Sequence, residues 1–494
     1  MDRKPYFISF ILLLSVLLCC CLVSCDDSPI GDGNASLSFS TDTVMFDTVF
    51  TTIGSSTREM KIYNKYDDDL LINEITLAGG SSSQFSINLN GMSGTHFTNV
   101  EIPYGDSIYL FAKVRINPND INNPFVVEDD IVFNTNGKEQ TVKLLAWGQN
   151  ANYIIATDSV GSLKLNIIAH ENEIAHWTAE RPYVIIGGYA AVDSLGTLIV
   201  DAGAHIYLHK GSGIWIYRYG NIIVNGTSGN EVIFESDRLE PEYDNVSAMW
   251  DRIWINEGPV RNEFHHTVIR NGFIGIQAES LSLSEYWSDN LLLDNVKIEN
   301  MSGMGIYAVL YSINAGNVLV DNCGSYLVGL TLGGEYDFRN CTFANFWNSS
   351  IRQTSSIYVN NYYLDENYNP VQVSLNDYYF GNCVVYGVLE NELYLDGVGT
   401  FNCSLQNSLV KIARDRIEDY SKYFTDCIIN KSPIFSDSTN FNYHIDTIIS
   451  PLINAGSMEI VNSSPIDISK DLDGVSRTND DNPDIGAYEF VEPL

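Results

Sequence analysis

An all-β protein, a β-sandwich followed by a stack of parallel coils, is the fold class that this sequence predicts, on three observations. Short alternating apolar segments fill residues 37–149. From residue 150 onward the apolar runs become very short and are punctuated by Gly and Asn. A pattern of the form apolar-x-Asn-Cys-x-apolar-x-Asn then recurs through the second half of the chain.

The amino terminus comes first. Arg3 and Lys4 precede an apolar run from Tyr6 to Val23, and the run ends in Leu22-Val23-Ser24-Cys25-Asp26-Asp27. This is the layout of a signal peptide over residues 1–24, although the run is also long enough for a retained membrane helix. The Leu-Val-Ser-Cys string resembles the bacterial lipobox, which implies a lipid on the Cys25 thiol and cleavage just before it. Lipid on Cys25 would be the membrane contact, and two or three acyl chains at about 0.8 kcal/mol per methylene hold permanently. The acidic residues after Cys25 resemble the export signal of Bacteroidetes lipoproteins, which implies the outer face of the outer membrane. Residues 25–36 also read simply as a solvated tether.

Residues 37–149 hold short strands such as Glu59 to Tyr63, Leu70 to Leu77, Ser107 to Ile116 and Gln140 to Trp147, separated by turns. That spacing predicts a sandwich. The order of Ile62-Tyr63-Asn64, Phe85-Ser86-Ile87 and the closing Val142 to Gly148 strand resembles the immunoglobulin-like modules of bacterial surface proteins, which act as spacers.

In the second part, Gly196-Thr-Leu-Ile-Val-Asp-Ala-Gly203, Gly213-Ile-Trp-Ile-Tyr217 and Gly220-Asn-Ile-Ile-Val-Asn-Gly226 set the pattern. The repeat follows as Leu293-Asp-Asn-Val-Lys-Ile-Glu-Asn300, Phe338-Arg-Asn-Cys-Thr-Phe-Ala-Asn345 and Thr400-Phe-Asn-Cys-Ser-Leu-Gln-Asn407, with partial copies around Cys323, Cys383 and Cys427. Copies step by 18 to 29 residues, and a step of 42 reads as two coils. One coil per copy fits a solenoid. These strings resemble the right-handed parallel β-helix of pectin-lyase-like proteins, here over residues 150–470. The ending Asp471-Leu-Asp-Gly474, Arg477 and Asn482-Pro-Asp-Ile-Gly-Ala-Tyr-Glu-Phe490 resembles that of Bacteroidetes β-helix lipoproteins, with 471–494 as a cap.

Stacked coils put like residues in ladders at about 4.8 Å, and Asn suits the corners because it tolerates left-handed backbone and bonds its neighbours above and below. Asn295, Asn322, Asn340, Asn382 and Asn402 are expected in one ladder, and Asn271, Asn300, Asn345, Asn407 and Asn430 in another. Cys323, Cys341, Cys383, Cys403 and Cys427 then fill a small inward site as core, since a buried thiol stays protonated. No compact metal-ligand spacing links them.

The net charge of −35 excludes nucleic acid as a partner and favours neutral glycans, basic partners or calcium-mediated contacts. Catalysis has one candidate cluster. Asp294, Asp321 and Arg339 each precede a ladder Asn, and two carboxylates beside an arginine are what a lyase needs to hold Ca²⁺ and abstract a proton from a uronate. The same residues also read as an exposed charge ladder, the favoured reading. Asp471 and Asp473 are the candidate calcium ligands, without the spacing of an EF-hand. For ligand binding, Trp215, Tyr217, Tyr219, Trp250, Trp254 and Trp287 lie on short strands or loops, and Trp347, Tyr362 and Tyr363 lie in an insertion between Phe346 and Tyr379. Aromatic faces stack on sugars. The reading is a cell-surface lipoprotein that binds glycan without turnover. The alternatives are a polysaccharide lyase or hydrolase and a structural scaffold.

Overall fold

The computed structural model describes residues 35–119, 122, 124–282, 288, 290–373, 375–479 and 482–492. Cys25 and Trp287 lie outside them. The chain divides into two compact units, Met1–Asn150 and Ala151–Leu494, and both are all-β.

In the first unit, two five-stranded sheets face each other over one core. Strands alternate buried and exposed residues, as in Ser107–Val114, where Ile108, Leu110, Ala112 and Val114 point inward. Period-two burial of this kind is what drives two sheets together. Strand Thr43–Phe50 lies parallel to Lys138–Gln149, and the other pairings are antiparallel.

Among the described residues, most of the second unit is one 27-stranded sheet wound into coils, beside two small two-stranded sheets. Along the coils, strands pair in parallel with their counterparts one coil later: Thr197–Asp201 with Asn221–Asn225, Ile253–Asn256 with Ile274–Glu279, and Met304–Gly316 with Val328–Arg339. The interior is filled by columns of Ile, Leu, Val and Phe. Identical residues stack where the register brings them together. Phe338 lies over Phe380 at 5.3 Å and Tyr336 over Tyr378 at 5.5 Å.

The corners are made by residues in the left-handed region. One corner column runs His266, Asn295, Asn317, Asn340, Asn382, Asn407 and Asp426, all with positive φ between 41° and 55°. Asn317 donates to Asn295 and Asn382 to Asn340, each at 3.2 Å. The second corner links Asn322 to Asn300 at 2.8 Å and Asn300 to Asn271 at 2.7 Å.

The expected ladders are thus corrected at four points. Asn322 belongs to the second corner, because Asp321 pairs with Glu299 and so places Asn322 beside Asn300. Asn317 takes its place in the first. Asn402 is no corner at all; it is an exposed strand residue opposite Asp377, and Asn407 turns the first corner in that coil. The step of 42 is a single coil, since Arg339 pairs directly with Gly381. Its extra length lies in the excursion of residues 346–356 and in the hairpin of Tyr362–Leu364 with Pro370–Gln372, while Ile357–Asn360 is the regular counterpart of Val328–Leu330.

The cysteines do not share one column either. Cys341, Cys383 and Cys427 follow the first corner, Cys323 follows the second, and Cys403 lies opposite Tyr378. Cys323, Cys341 and Cys383 are buried, and burial pushes the thiols of Cys323 and Cys383 upward.

Residues 471–479 and 482–490 run along the flank of the coils instead of over the last one. Ala487 and Tyr488 pack on Leu319 and Ala344, and Ala487 N–H donates to Thr342 Oγ1 at 2.9 Å. Arg477, fully buried, binds Glu489, Asn317 Oδ1 and Gly486 O. At the end of the stack, Tyr420 of the short helix Ile417–Tyr420 joins the core.

Asn340, at φ 50°, tests the corner. Asn340→Ala should lose about 1–3 kcal/mol of stability in denaturant melts, and Asn340→Gly should recover about 1 kcal/mol of it, because Gly carries no left-handed penalty. Equal losses for Ala and Gly would show that the backbone does not need the left-handed residue.

Candidate functional site

One outward column of the coils is largely aromatic. It reads Trp215, Trp254, Gln277, Tyr307, Gly329, Tyr358 and Tyr394, each opposite the next. The cause is local. Each lies between two inward residues, as in Ile253-Trp254-Ile255, Ile306-Tyr307-Ala308 and Ile357-Tyr358-Val359, so strand alternation forces it out. Strand spacing then lays the rings against each other. Trp215 and Trp254 stack at 5.0 Å and 15°, and Tyr358 and Tyr394 at 5.8 Å and 12°. Gly329 leaves a gap that Tyr326 fills, 5.3 Å from Tyr358.

Carboxylates and an amide line the edge of this ladder. Trp254 Nε1 donates to Glu279 at 2.6 Å and Trp215 Nε1 to Asn256 Oδ1 at 2.9 Å. Tyr358 and Tyr362 both donate to Asp396 Oδ2 at 2.9 Å. Burial, together with Asp396, holds the Tyr358 phenol above its usual range, and the hydrogen bond to Asp396 does the same for Tyr362. The rings therefore stay neutral, with fixed orientations. Arg252 is taken up by Asp251 and Gln277, while Arg416 lies over the Tyr394 ring at 5.6 Å.

A cleft of about 460 Å³ opens on another face, lined by Glu335, Asp337, Asp377, Arg339 and Tyr379. Arg339 grips Asp337 with two bonds of 2.8 and 2.9 Å and also donates to Ile460 O. Burial, then the nearby Glu335 and Asp337, raises the proton affinity of Asp377. Elsewhere on the coils, His265 sits between Asp294 at 2.9 Å and Glu263 at 3.2 Å. The bond to Asp294 raises its pKa.

The expected trio of Asp294, Asp321 and Arg339 does not assemble. Asp294 and Arg339 share a column but are separated by Gly316, which packs against Ile466 and Ile468. Asp321 belongs to the column of Arg270 and Glu299 and is fully buried. Trp347 is buried, with its indole N–H on Ser350, so it offers no platform. Tyr362 reaches the ladder edge through Asp396, and Tyr363 is exposed on the hairpin. Asp471 accepts three backbone N–H groups, from Asp473, Val475 and Glu489, which commits its carboxylate to closing a turn. Asp473 binds His444 at 2.6 Å. Among the described residues no group of three or more His, Cys, Asp and Glu gathers as metal ligands.

Asp321 makes no hydrogen bond through either oxygen, and its ladder neighbour is Glu299. Burial, then the Glu299 charge, holds its pKa well above the ordinary value. The folded chain therefore keeps this carboxyl protonated where the unfolded chain ionises it. Stability tied to that proton is complete below the ordinary aspartate pKa of about 3.9 and is lost as pH rises from there toward the folded value. Asp321→Asn should remove this loss and melt about 2–4 °C above the parent at pH 8, with little difference at pH 4. A variant that melts lower at pH 8 would mean that the carboxylate is ionised and stabilising.

No protein-family model matches this chain, and no curated protein does. Among solved structures it is similar to a family 123 glycoside hydrolase from Clostridium perfringens that acts on glycolipid glycans, at 11% identity over 29% of this chain and 30% of that one, with a TM-score of 0.18. It is also similar to the PapD-like domain 7 of human CEP192, at 11% identity over 26% of this chain and 94% of that one, with a TM-score of 0.17. A third is the catalytic domain of a GH87 α-1,3-glucanase in complex with tetrasaccharides, at 12% identity over 71% of this chain and 82% of that one, with a TM-score of 0.22. At these scores the likenesses carry no argument about fold or chemistry.

Proposed function

We propose that this chain is a cell-surface lipoprotein, held by lipid on Cys25 in the outer membrane, whose right-handed β-helix binds glycan along the aromatic ladder without turning it over. The observation that carries the reading is the outward column from Trp215 to Tyr394, half-buried and braced by Glu279 and Asp396. Rings fixed at strand spacing present a preorganised apolar strip, so a sugar chain stacks without ordering the side chains first. The immunoglobulin-like unit serves as a spacer between lipid and ladder. Among the described residues no helix is long and apolar enough to cross a membrane.

A second reading, a glycoside hydrolase, is favoured by the acidic cleft. Asp377, with raised proton affinity, would serve as general acid, and Glu335 or Asp337 as the charged partner.

Affinity gels with neutral and uronic-acid polysaccharides test the first reading. Trp254→Ala should weaken retention about tenfold, equivalent to about 1.4 kcal/mol of lost stacking. If gels are silent for the parent chain, the scaffold alternative stands instead. Measurement of new reducing ends tests the second reading. Turnover that falls about 10²- to 10⁴-fold in Asp377→Asn would make the protein an enzyme, and the first reading expects none.

A further inference from the structure

The edge of the ladder limits what its ligand can be. Glu279 accepts from Trp254 and from Gln277, and Asp396 accepts from Tyr358 and Tyr362. A carboxylate has roughly four lone-pair sites, so each keeps acceptor capacity after binding its two donors. Both are half-buried and both border rings a sugar would stack on.

Cations do not balance them. Arg252 is consumed by Asp251 and Gln277. Arg416 lies over Tyr394, on the strand that also carries Asp396, but makes no ion pair with that carboxylate. Between Arg252 and Arg416, the described residues of the ladder and its edge are aromatic, amide, aliphatic, hydroxyl or carboxylate. The phenols of Tyr307, Tyr326 and Tyr394 serve as donor or acceptor, so charge decides the selection. With a chain charge of −35 behind it, this strip repels carboxylate and sulfate groups.

We infer that the ladder takes a non-anionic, donor-rich glycan, and that hexosamine units with a free ammonium are preferred over neutral or N-acetylated ones. The ammonium would sit at the edge of the ladder beside Glu279 or Asp396, where the remaining carboxylate acceptor sites give charge-assisted hydrogen bonds. Uronic-acid polymers are excluded by the same charges. This inference rests on the glycan-binding reading of the ladder.

Titration of the full-length chain with glucosamine oligomers, their N-acetylated counterparts, a neutral glucan oligomer and oligogalacturonate, at low and high salt, tests it. The expected order is glucosamine tightest, by about tenfold over N-acetylated at low salt and less at high salt, with no binding of oligogalacturonate. The double variant Glu279→Gln and Asp396→Asn should erase the glucosamine advantage, read as the ratio of glucosamine to N-acetylated affinity within the variant, whatever happens to neutral binding itself. Binding of oligogalacturonate as tight as that of neutral sugar would overturn the charge selection while leaving the ladder reading intact. A glucosamine preference unchanged in the double variant would also overturn it, since the preference would then come from the general acidity of the chain. No binding of any sugar, with Trp254→Ala indistinguishable from the parent, would defeat both readings.

Discussion

The parallel register between successive coils is the constraint on which the second unit depends. Once Arg339 faces Gly381 and Asp294 faces Gly316, every side chain in those coils has a fixed neighbour one strand spacing away. Inward positions must be apolar and of matching size, which the stacked Phe338 and Phe380 satisfy. Corners must accept left-handed backbone, and Asn does so at lower cost than other side chains while its amide bonds the next coil. Outward positions that the carboxy-terminal segment does not cover are free of core packing demands. That is why function can be written there as a column.

The ladder residues were partly legible. The pattern of apolar, outward residue, apolar recurs as Ile214-Trp-Ile216, Ile253-Trp-Ile255, Ile306-Tyr-Ala308, Ile357-Tyr-Val359 and Leu393-Tyr-Leu395. Trp215 and Trp254 stood out as tryptophans, whereas Tyr307, Tyr358 and Tyr394 disappear among 29 tyrosines unless the triplets are aligned. The corners misled for a physical reason. Both corners of a coil accept Asn, and they lie five residues apart, as Asn295 and Asn300 or Asn317 and Asn322 show. Sequence alone therefore aligns Val320-Asp-Asn-Cys323 with the wrong corner, and with that slip Asp321 moves from the buried column of Glu299 to the outward column of Asp294. The all-β class survives such slips because it needs only the period of two. A proposed active site does not survive them.

Arginine placement explains the surface that remains. Arg352 and Glu392 are buried together, joined at 2.7 and 2.9 Å, and Glu392 also takes Ser356 N–H and Leu389 N–H. Such a pair adds little net stability over apolar packing, but loss of one partner leaves a buried charge and costs about 3–5 kcal/mol. It pins the excursion after Trp347 to the coil that follows. Arg477 with Glu489 performs the same task for the carboxy-terminal flank. Arg270, bound to Glu235 at 2.6 Å, does so within its column.

With 27 Lys and Arg against 62 Asp and Glu, each cation bound in such a pair leaves the rest of the molecule more acidic. The acidic excess is then left on the outward faces, where Glu279 and Asp396 border the aromatic ladder and Glu335, Asp337 and Asp377 line the cleft. The two sites differ in what fixes them. Ladder carboxylates are held by indole and phenol donors whose rings are locked by stacking, so their geometry is that of the coil itself. In the cleft, Asp337 is held by Arg339, which is in turn tied to Ile460 and Ser463 of the carboxy-terminal segment. The geometry of that cleft therefore depends on the docking of a second segment, whereas the ladder is complete as soon as the coils stack.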